Sequence, residues 1–190
     1  MSDFEVPTPA QRGEQAGGRG LPAGTLPQAT PGAPLSFQQE GLWFLDQLAE
    51  GGAPYNIHSA SRHRGPLDVE RLERSLRALI ARHDSLRTEF HAAGDAPRQQ
   101  VLPAPEALER FRLRQVELRP AEAGETMLRE RIAASIAEPF ELSSAPLLRA
   151  ELLRLAPDDH VLVLVVHHIV ADGWSMSLIR RELGQLYDQG

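Results

Sequence analysis

Two adjacent histidines, His167 and His168, stand at the end of the most apolar stretch of the chain, and Asp172 and Gly173 follow after three residues. An imidazole transfers protons near neutral pH because its ordinary pKa lies in that range. The stretch at residues 161–166 is apolar at every position, which predicts a strand covered on both faces. A histidine at the end of such a strand lies where open sheets present functional groups. The N–H groups of a helix starting there would also stabilise developing negative charge.

Only one of the two histidines is expected to face a cavity. Successive side chains of a strand point to opposite faces, so the other histidine must meet packing or backbone acceptors. A histidine pair at a strand end is by itself more typical of packing or solvent exposure than of catalysis. Asp172 and Gly173 shift that balance towards a functional loop, in which Gly173 lets the chain turn sharply into a helix. No metal site is predicted, because the adjacent histidines splay apart whereas metal ligands must converge.

Helices and strands alternate along the rest of the folded chain. Ser36 and Gln39 form a capping-box pattern, which predicts a short buried helix running to about Leu48. Asp68 is expected to cap a helix that runs to about His83 and has one apolar face. The residues of that face are Val69, Leu72, Leu76, Leu79 and Ile80.

The remaining elements are predicted from hydrophobic spacing and turn residues. Strands are expected at residues 55–64, 87–91, 99–102 and 111–118, a hairpin at residues 147–155 and 160–168, and helices at residues 125–137 and about 174–187. This order predicts the α+β class, an α/β sandwich in which helices cover a mixed sheet.

Composition limits the class of protein. The 190 residues carry a net charge of −6 with no basic block, so no nucleic-acid partner is predicted. The lack of cysteine excludes disulfides and thiolate catalysis. No signal peptide or membrane-spanning stretch is evident, which predicts a cytoplasmic protein with no membrane partner. Residues 1–34 are rich in Pro and Gly and are predicted to be a disordered linker or tail before a folded unit at residues 35–190.

Three segments together carry a resemblance to a known family. The sequence at residues 167–175, His-His-Ile-Val-Ala-Asp-Gly-Trp-Ser, contains the pattern HHxxxDG. Residues 35–45 resemble SxAQxRLWxL, with Gly41 where Arg is typical. Residues 82–90 resemble RHExLRTxF, with Asp84 in place of Glu. In this order, the three motifs resemble those of the N-terminal half of a condensation domain from a nonribosomal peptide synthetase, of the chloramphenicol-acetyltransferase-like superfamily.

The resemblance implies a function that needs more than this chain. A complete domain of the family is a pseudodimer around a tunnel, in which an acceptor amine attacks a donor thioester to form a peptide bond. The implied partners are donor and acceptor peptidyl carrier proteins and the missing C-terminal half of the domain. The carrier proteins supply the phosphopantetheine arms, so no cofactor is expected to be bound by this chain.

The resemblance also implies roles for individual residues. His168 is the implied catalytic histidine, which orients or deprotonates the amine or stabilises the tetrahedral intermediate. Asp172 is expected to pair with an arginine and hold the loop, and Gly173 to leave space for the pantetheine arm. His167 is expected to be a supporting residue.

Residues outside the loop are implicated in the same way. Arg82 and Arg87 resemble arginines that stabilise the active-site region, with solvent exposure as the alternative for Arg82. Trp43 and Trp174 are expected to be core residues, and Trp174 is with Ser175 also a candidate for the substrate tunnel.

Other functions remain open at this point. An epimerisation domain and a related HxxxDG acyltransferase share part of the loop motif, although the other two motifs disfavour the acyltransferase. A noncatalytic carrier-protein docking module, or a remnant of an enzyme, is a further alternative. The chain by itself is expected to show little or no condensation activity.

Overall fold

The computed structural model describes residues 32–49, 52–93, 96–118 and 124–189. Residues 1–31 of the predicted linker lie outside the described residues. Its last two residues form a short strand, Ala33–Pro34, that pairs antiparallel with the strand Ala96–Val101. Residues 33 and 34 therefore pair with the folded unit although they were assigned to the linker, because backbone hydrogen bonds do not require apolar side chains.

Seven strands and five helices make up the described fold. The strands are β1 (Ala33–Pro34), β2 (Asn56–Arg64), β3 (Thr88–Ala93), β4 (Ala96–Val101), β5 (Arg114–Glu117), β6 (Leu148–Ala156) and β7 (Asp159–His167). The helices are α1 (Phe37–Leu48), α2 (Val69–Arg82), α3 (Ala104–Arg110), α4 (Glu125–Ala137) and α5 (Gly173–Gln189). A 3₁₀ turn, Asp84–Arg87, lies between α2 and β3.

The strands form two sheets. The larger has the order β2-β7-β6-β5, with antiparallel pairing except between β5 and β6, which are parallel. The smaller has the order β1-β4-β3. The mixed sheet and its covering helices confirm the predicted α+β class.

Strand β7 is central and buried on both faces, as the apolar run predicts. Leu164 and Val166 pack with α2 and α5 in one cluster of buried side chains. Val161, Val163 and Val165 pack with Leu128 of α4 in another. The alternation of the strand therefore directs its odd-numbered residues towards α4.

Helix α1 differs from the expected buried helix. The capping box of Ser36 and Gln39 is present, but none of the described residues of α1 is buried. Its exposed apolar side chains are Phe37 (90% exposed), Phe44 (59%), Leu45 (45%) and Leu48 (61%). The prediction of burial was wrong because apolar composition does not say which side of a helix meets the rest of the chain.

Two shorter segments also differ from expectation. Helix α3 was not predicted from the sequence. The strand expected from residue 111 begins only at Arg114. Pro105 lies in the first turn of α3. Backbone N–H groups in the first turn of a helix have no partner within the helix, so proline, which lacks an N–H, is tolerated there. Arg87 lies in the 3₁₀ turn and not in the strand that follows. None of the described helices is long and apolar enough to cross a membrane.

Candidate active site

His167 is the packed histidine of the pair. It continues the α4-facing side of β7 and is only 2% exposed. Its Nδ1 accepts a hydrogen bond from the N–H of Ile169 (3.1 Å), and its Nε2 lies 3.4 Å from Oδ1 of Asp46 in α1. The rings of Tyr55 and Phe140 meet the imidazole edge-on, with centroids 6.4 and 6.3 Å away. The ring of His167 is therefore enclosed by protein groups, and His167 does not line the open cleft beside His168.

Burial lowers the pKa of His167, because removing water disfavours the charged imidazolium. The carboxylate of Asp46 opposes that effect, and the neighbouring His168 adds to it. The buried ring is therefore neutral at neutral pH. Since Nδ1 accepts a hydrogen bond, the single ring proton of the neutral form is on Nε2, which faces Asp46.

His168 is the exposed histidine, and its ring is nevertheless oriented. Its backbone N–H donates to the carbonyl of Tyr55 (2.8 Å), and its Nδ1 lies 2.9 Å from the carbonyl oxygen of Ala171. A carbonyl oxygen only accepts, so Nδ1 carries the proton of the neutral ring. The Nε2 lone pair is therefore left free to accept a proton or a hydrogen bond.

An open cleft of about 860 Å³ lies beside His168. One side is formed by Ser36 and the first part of α1. The other side is formed by the loop that leads into α5, including Asp172, and by Ser175 in the first turn of that helix. A second cavity, of about 620 Å³, lies among Leu164, Leu183 and other side chains at the far end of α5 and includes none of the loop residues 167–173. The cleft beside His168 is therefore the candidate active site.

Asp172 is a helix cap. Its Oδ1 accepts hydrogen bonds from the backbone N–H and from the hydroxyl of Ser175, both 2.7 Å long. These bonds, the N–H first, hold the pKa of Asp172 below its usual range. No arginine of the described residues is within ion-pair distance of Asp172, so the expected ion pair is not found there. The loop is held instead by the start of α5.

Known proteins resemble this chain in sequence. A family described as Condensation domain matches residues 31–190. This chain belongs to the condensation domain family. Phosphinothricin tripeptide synthetase PhsB of Streptomyces viridochromogenes is 39% identical over 194 residues, a match that covers 97% of this chain and 16% of that protein.

Solved structures have the same fold. The first condensation domain of the calcium-dependent antibiotic synthetase, in complex with substrate analogue 2a, gives a TM-score of 0.72 at 31% identity and covers 81% of this chain and 36% of that one. The X-domain in complex with OxyB from teicoplanin biosynthesis gives 0.70 at 33% identity, with 82% and 32% covered. The resemblance predicted from the three motifs is confirmed, as is the chloramphenicol-acetyltransferase-like subdomain. The chain spans about a third of each of these two solved relatives.

Gly173 of this condensation domain is the first residue of α5, and its backbone does not need a glycine. The positive-φ glycines of the described residues are Gly32 and Gly65. A Cβ at Gly173 would have no heavy atom within 4 Å. The chain therefore enters α5 without using the conformational freedom that glycine provides, and the expected role of Gly173 in the turn is not supported by its backbone.

The hydrogen bonds and ion pairs of the two arginines are made with residues outside the loop at residues 167–173. Arg87 is buried and donates to the carbonyls of Ile80 and Leu102 and to the carboxylate of Asp84. Arg82 is more than half exposed and lies 3.5 Å from Glu182 of α5. Arg82 therefore joins α2 to α5. Arg87 ties the end of α2 and the 3₁₀ turn to Leu102, the residue that follows β4.

The two tryptophans have different surroundings. Trp43 is half-buried against a cluster that includes Leu35 and Ile169, close to its expected core role. Trp174 is 78% exposed and is not part of the cleft wall, so the expectation of a core residue was wrong. Ser175 lines the cleft and bonds to Asp172.

Sequence reasoning did not predict the polar contacts that three residues make with His167, His168 and Ile169. The three residues are Asp46, which faces His167, Tyr55, whose carbonyl accepts from His168, and Gln39, whose amide lies 3.5 Å from the carbonyl of Ile169. Asp46 had a recognisable signal, because it is an acidic residue on an otherwise apolar turn of α1. The bond from His168 to Tyr55 had no such signal, because it is accepted by the backbone carbonyl of Tyr55.

Proposed function

We propose that this chain forms the histidine-bearing part of an active site that makes peptide bonds between two thioester-bound groups. The donor and acceptor are held on the phosphopantetheine arms of two carrier proteins. The observation that carries this function is the free Nε2 of His168 at an open cleft, in a member of the condensation domain family. Support also comes from the relatives, which include a tripeptide synthetase and a condensation domain that binds a substrate analogue.

The proposed reaction is an acyl transfer. The acceptor amine attacks the donor carbonyl, a C–N bond forms, the C–S bond breaks, and the proton lost by the amine ends on the departing thiolate. The unprotonated Nε2 of His168 accepts a hydrogen bond or the proton from that amine. The Ala171 carbonyl then stabilises the positive ring through Nδ1–H, which is a stronger hydrogen bond when the donor is charged.

The test is a His168→Ala change in the synthetase that contains this chain. Product formation from two loaded carrier proteins, followed by mass spectrometry, is expected to fall by about 10²- to 10⁴-fold, the usual effect of losing an acid–base group. His63→Ala is the matched control, because His63 pairs with His160 at the opposite end of β7 from His167. Unchanged condensation by the His168 variant would show that the histidine has no part in the reaction.

A noncatalytic interaction module is the second candidate. It is favoured by one observation, the likeness to an X-domain that was solved in complex with OxyB. A module of that kind would retain partner binding and overall product yield after His168→Ala. The experiment above therefore distinguishes the two functions.

A further inference from the structure

We infer that Asp46 of α1 is a positioning residue for the reaction, acting through His167 on the loop that carries His168. The inference rests on the proposed function of His168. It starts from the contact between Asp46 Oδ1 and His167 Nε2, which are 3.4 Å apart. The side chain of Asp46 is 19% exposed and that of His167 2%, so water screens this pair only weakly.

The ring of His167 must be held in one of its two neutral tautomers. Nδ1 accepts the N–H of Ile169 and so cannot carry a proton itself. The proton must then be on Nε2, which has no hydrogen-bonded partner of good geometry among the described residues. Asp46 is the carboxylate next to this N–H, with Oδ1 3.4 Å from Nε2. A carboxylate next to Nε2 favours an N–H there over a lone pair, so Asp46 reinforces the Nε2–H tautomer that the Ile169 N–H requires.

This selection affects His168 through the backbone. If the proton moved to Nδ1, two N–H groups would face each other and the bond to Ile169 would be lost. Ile169 follows His168 directly, and Ala171, which orients the ring of His168, is two residues further along. A change of tautomer at His167 would therefore loosen the loop that holds the Nε2 of His168 at the cleft.

Asp46 also gives α1 its polar connection to the buried side of the loop. The helix packs through the partly buried Leu42 and Trp43, and Gln39 lies within 3.5 Å of the Ile169 carbonyl. Because none of the described residues of α1 is fully buried, the helix is not fixed by apolar packing alone. The contact between Asp46 and His167 thus couples one wall of the cleft to the residue next to His168.

The test measures kcat and KM for condensation in the intact synthetase. Asp46→Ala is expected to lower kcat about ten- to a hundred-fold with little change in KM, the size of effect produced by misplacing a reacting group by about 1 Å. Asp46→Asn keeps an acceptor oxygen and is expected to recover most of the loss. Glu40→Ala is the control, because it removes an exposed carboxylate from the same helix.

A double-mutant cycle separates positioning from folding. His167→Asn keeps an acceptor near the position of Nδ1 and removes the donor that faces Asp46. In that background, Asp46→Ala is expected to cause no further loss of kcat. A further loss equal to that in the wild-type background, or full activity of Asp46→Ala alone, would overturn the inference. His168→Ala measured alongside reports on the proposed function, because only failure of that function would leave its kcat unchanged.

Discussion

His167 and His168 are adjacent in sequence but lie in opposite environments. His167 is enclosed by Tyr55, Phe140 and Asp46, whereas His168 is exposed at the cleft. In both rings Nδ1 forms a hydrogen bond with a backbone group. The Nε2 of His167 faces Asp46, whereas His168 lines the open cleft. The buried ring keeps its Nε2 proton, and the exposed ring offers an Nε2 lone pair.

The burial of His167 gives a pH dependence of stability. Its pKa is below the ordinary value of 6.5 in the folded chain, because burial disfavours the charged ring more than Asp46 favours it and His168 adds to the lowering. The unfolded chain therefore binds a proton at a pH where the folded chain does not. The free energy of unfolding is expected to fall as pH decreases through 6.5, by at most about 1.4 kcal/mol per pH unit for this proton.

Urea unfolding of wild type and His167→Asn at several pH values between 7.5 and 5.5 measures this contribution. The wild type is expected to lose more stability over that range than the variant. His160, whose pKa is also lowered mainly by burial, is common to both and cancels in the comparison. Asp172 and Glu182 have lowered pKa values, so their contribution is lost only at more acidic pH. Equal losses in the two proteins would contradict the assignment.

Strand alternation predicted that one histidine would be packed and the other free, and the hydrogen bonds of the pair agree with it. The residues that hold them were not predictable by the same reasoning. Asp46 reaches His167 from a distant part of the sequence, and periodicity within one element says nothing about contacts between elements. The expected arginine for Asp172 came from the resemblance alone, and the helix cap at Ser175 was equally available from the local sequence.

At the scale of the elements, α5 depends on Asp172 for its start. Asp172→Ala removes the acceptor of the Ser175 N–H and is expected to lower the urea midpoint of unfolding by roughly 0.5 M, the size of effect that follows from losing an N-cap. Asp172→Ser keeps a capping oxygen and should recover most of that loss. Urea unfolding near pH 7 measures both, with Asp188→Ala near the other end of the helix as the control. A midpoint of Asp172→Ala equal to that of wild type would show that water satisfies the helix start equally well.

The elements with clear periodicity were predicted closely, and those without it were not. The predicted bounds of α2, α4 and the β6–β7 hairpin agree with the structure to within about two residues. The helices show apolar residues at helical spacing, and β7 is a continuous apolar run that starts after a turn signal. Helix α3 is short and starts at a proline-containing segment, which is more typical of a loop. For α1 the helix and its cap were predicted correctly, but the predicted burial was wrong, since the side chains of Phe37 and Phe44 are exposed.

For the whole molecule, one exposed apolar surface adjoins the candidate site. Phe37 and Leu45 of α1 line the cleft of His168, and Phe37 is 90% exposed. Exposed apolar surface of this kind is typical of a site that binds a partner or a ligand. The described chain supplies the histidine and the loop, while the cleft remains open.

An open cleft is poorly suited to catalyse acyl transfer by itself. Condensation requires that an amine and a thioester carbonyl are held about 3–3.5 Å apart and that water is excluded, which needs walls on more than one side. The described wall consists of α1 and the loop that begins α5. When the 190-residue chain is mixed with two loaded carrier proteins, we therefore expect no peptide product above the uncatalysed rate by mass spectrometry. The intact synthetase with the same carrier proteins is the positive control, and product formed by the chain alone at a comparable rate would show that α1 and the loop suffice to align the two substrates.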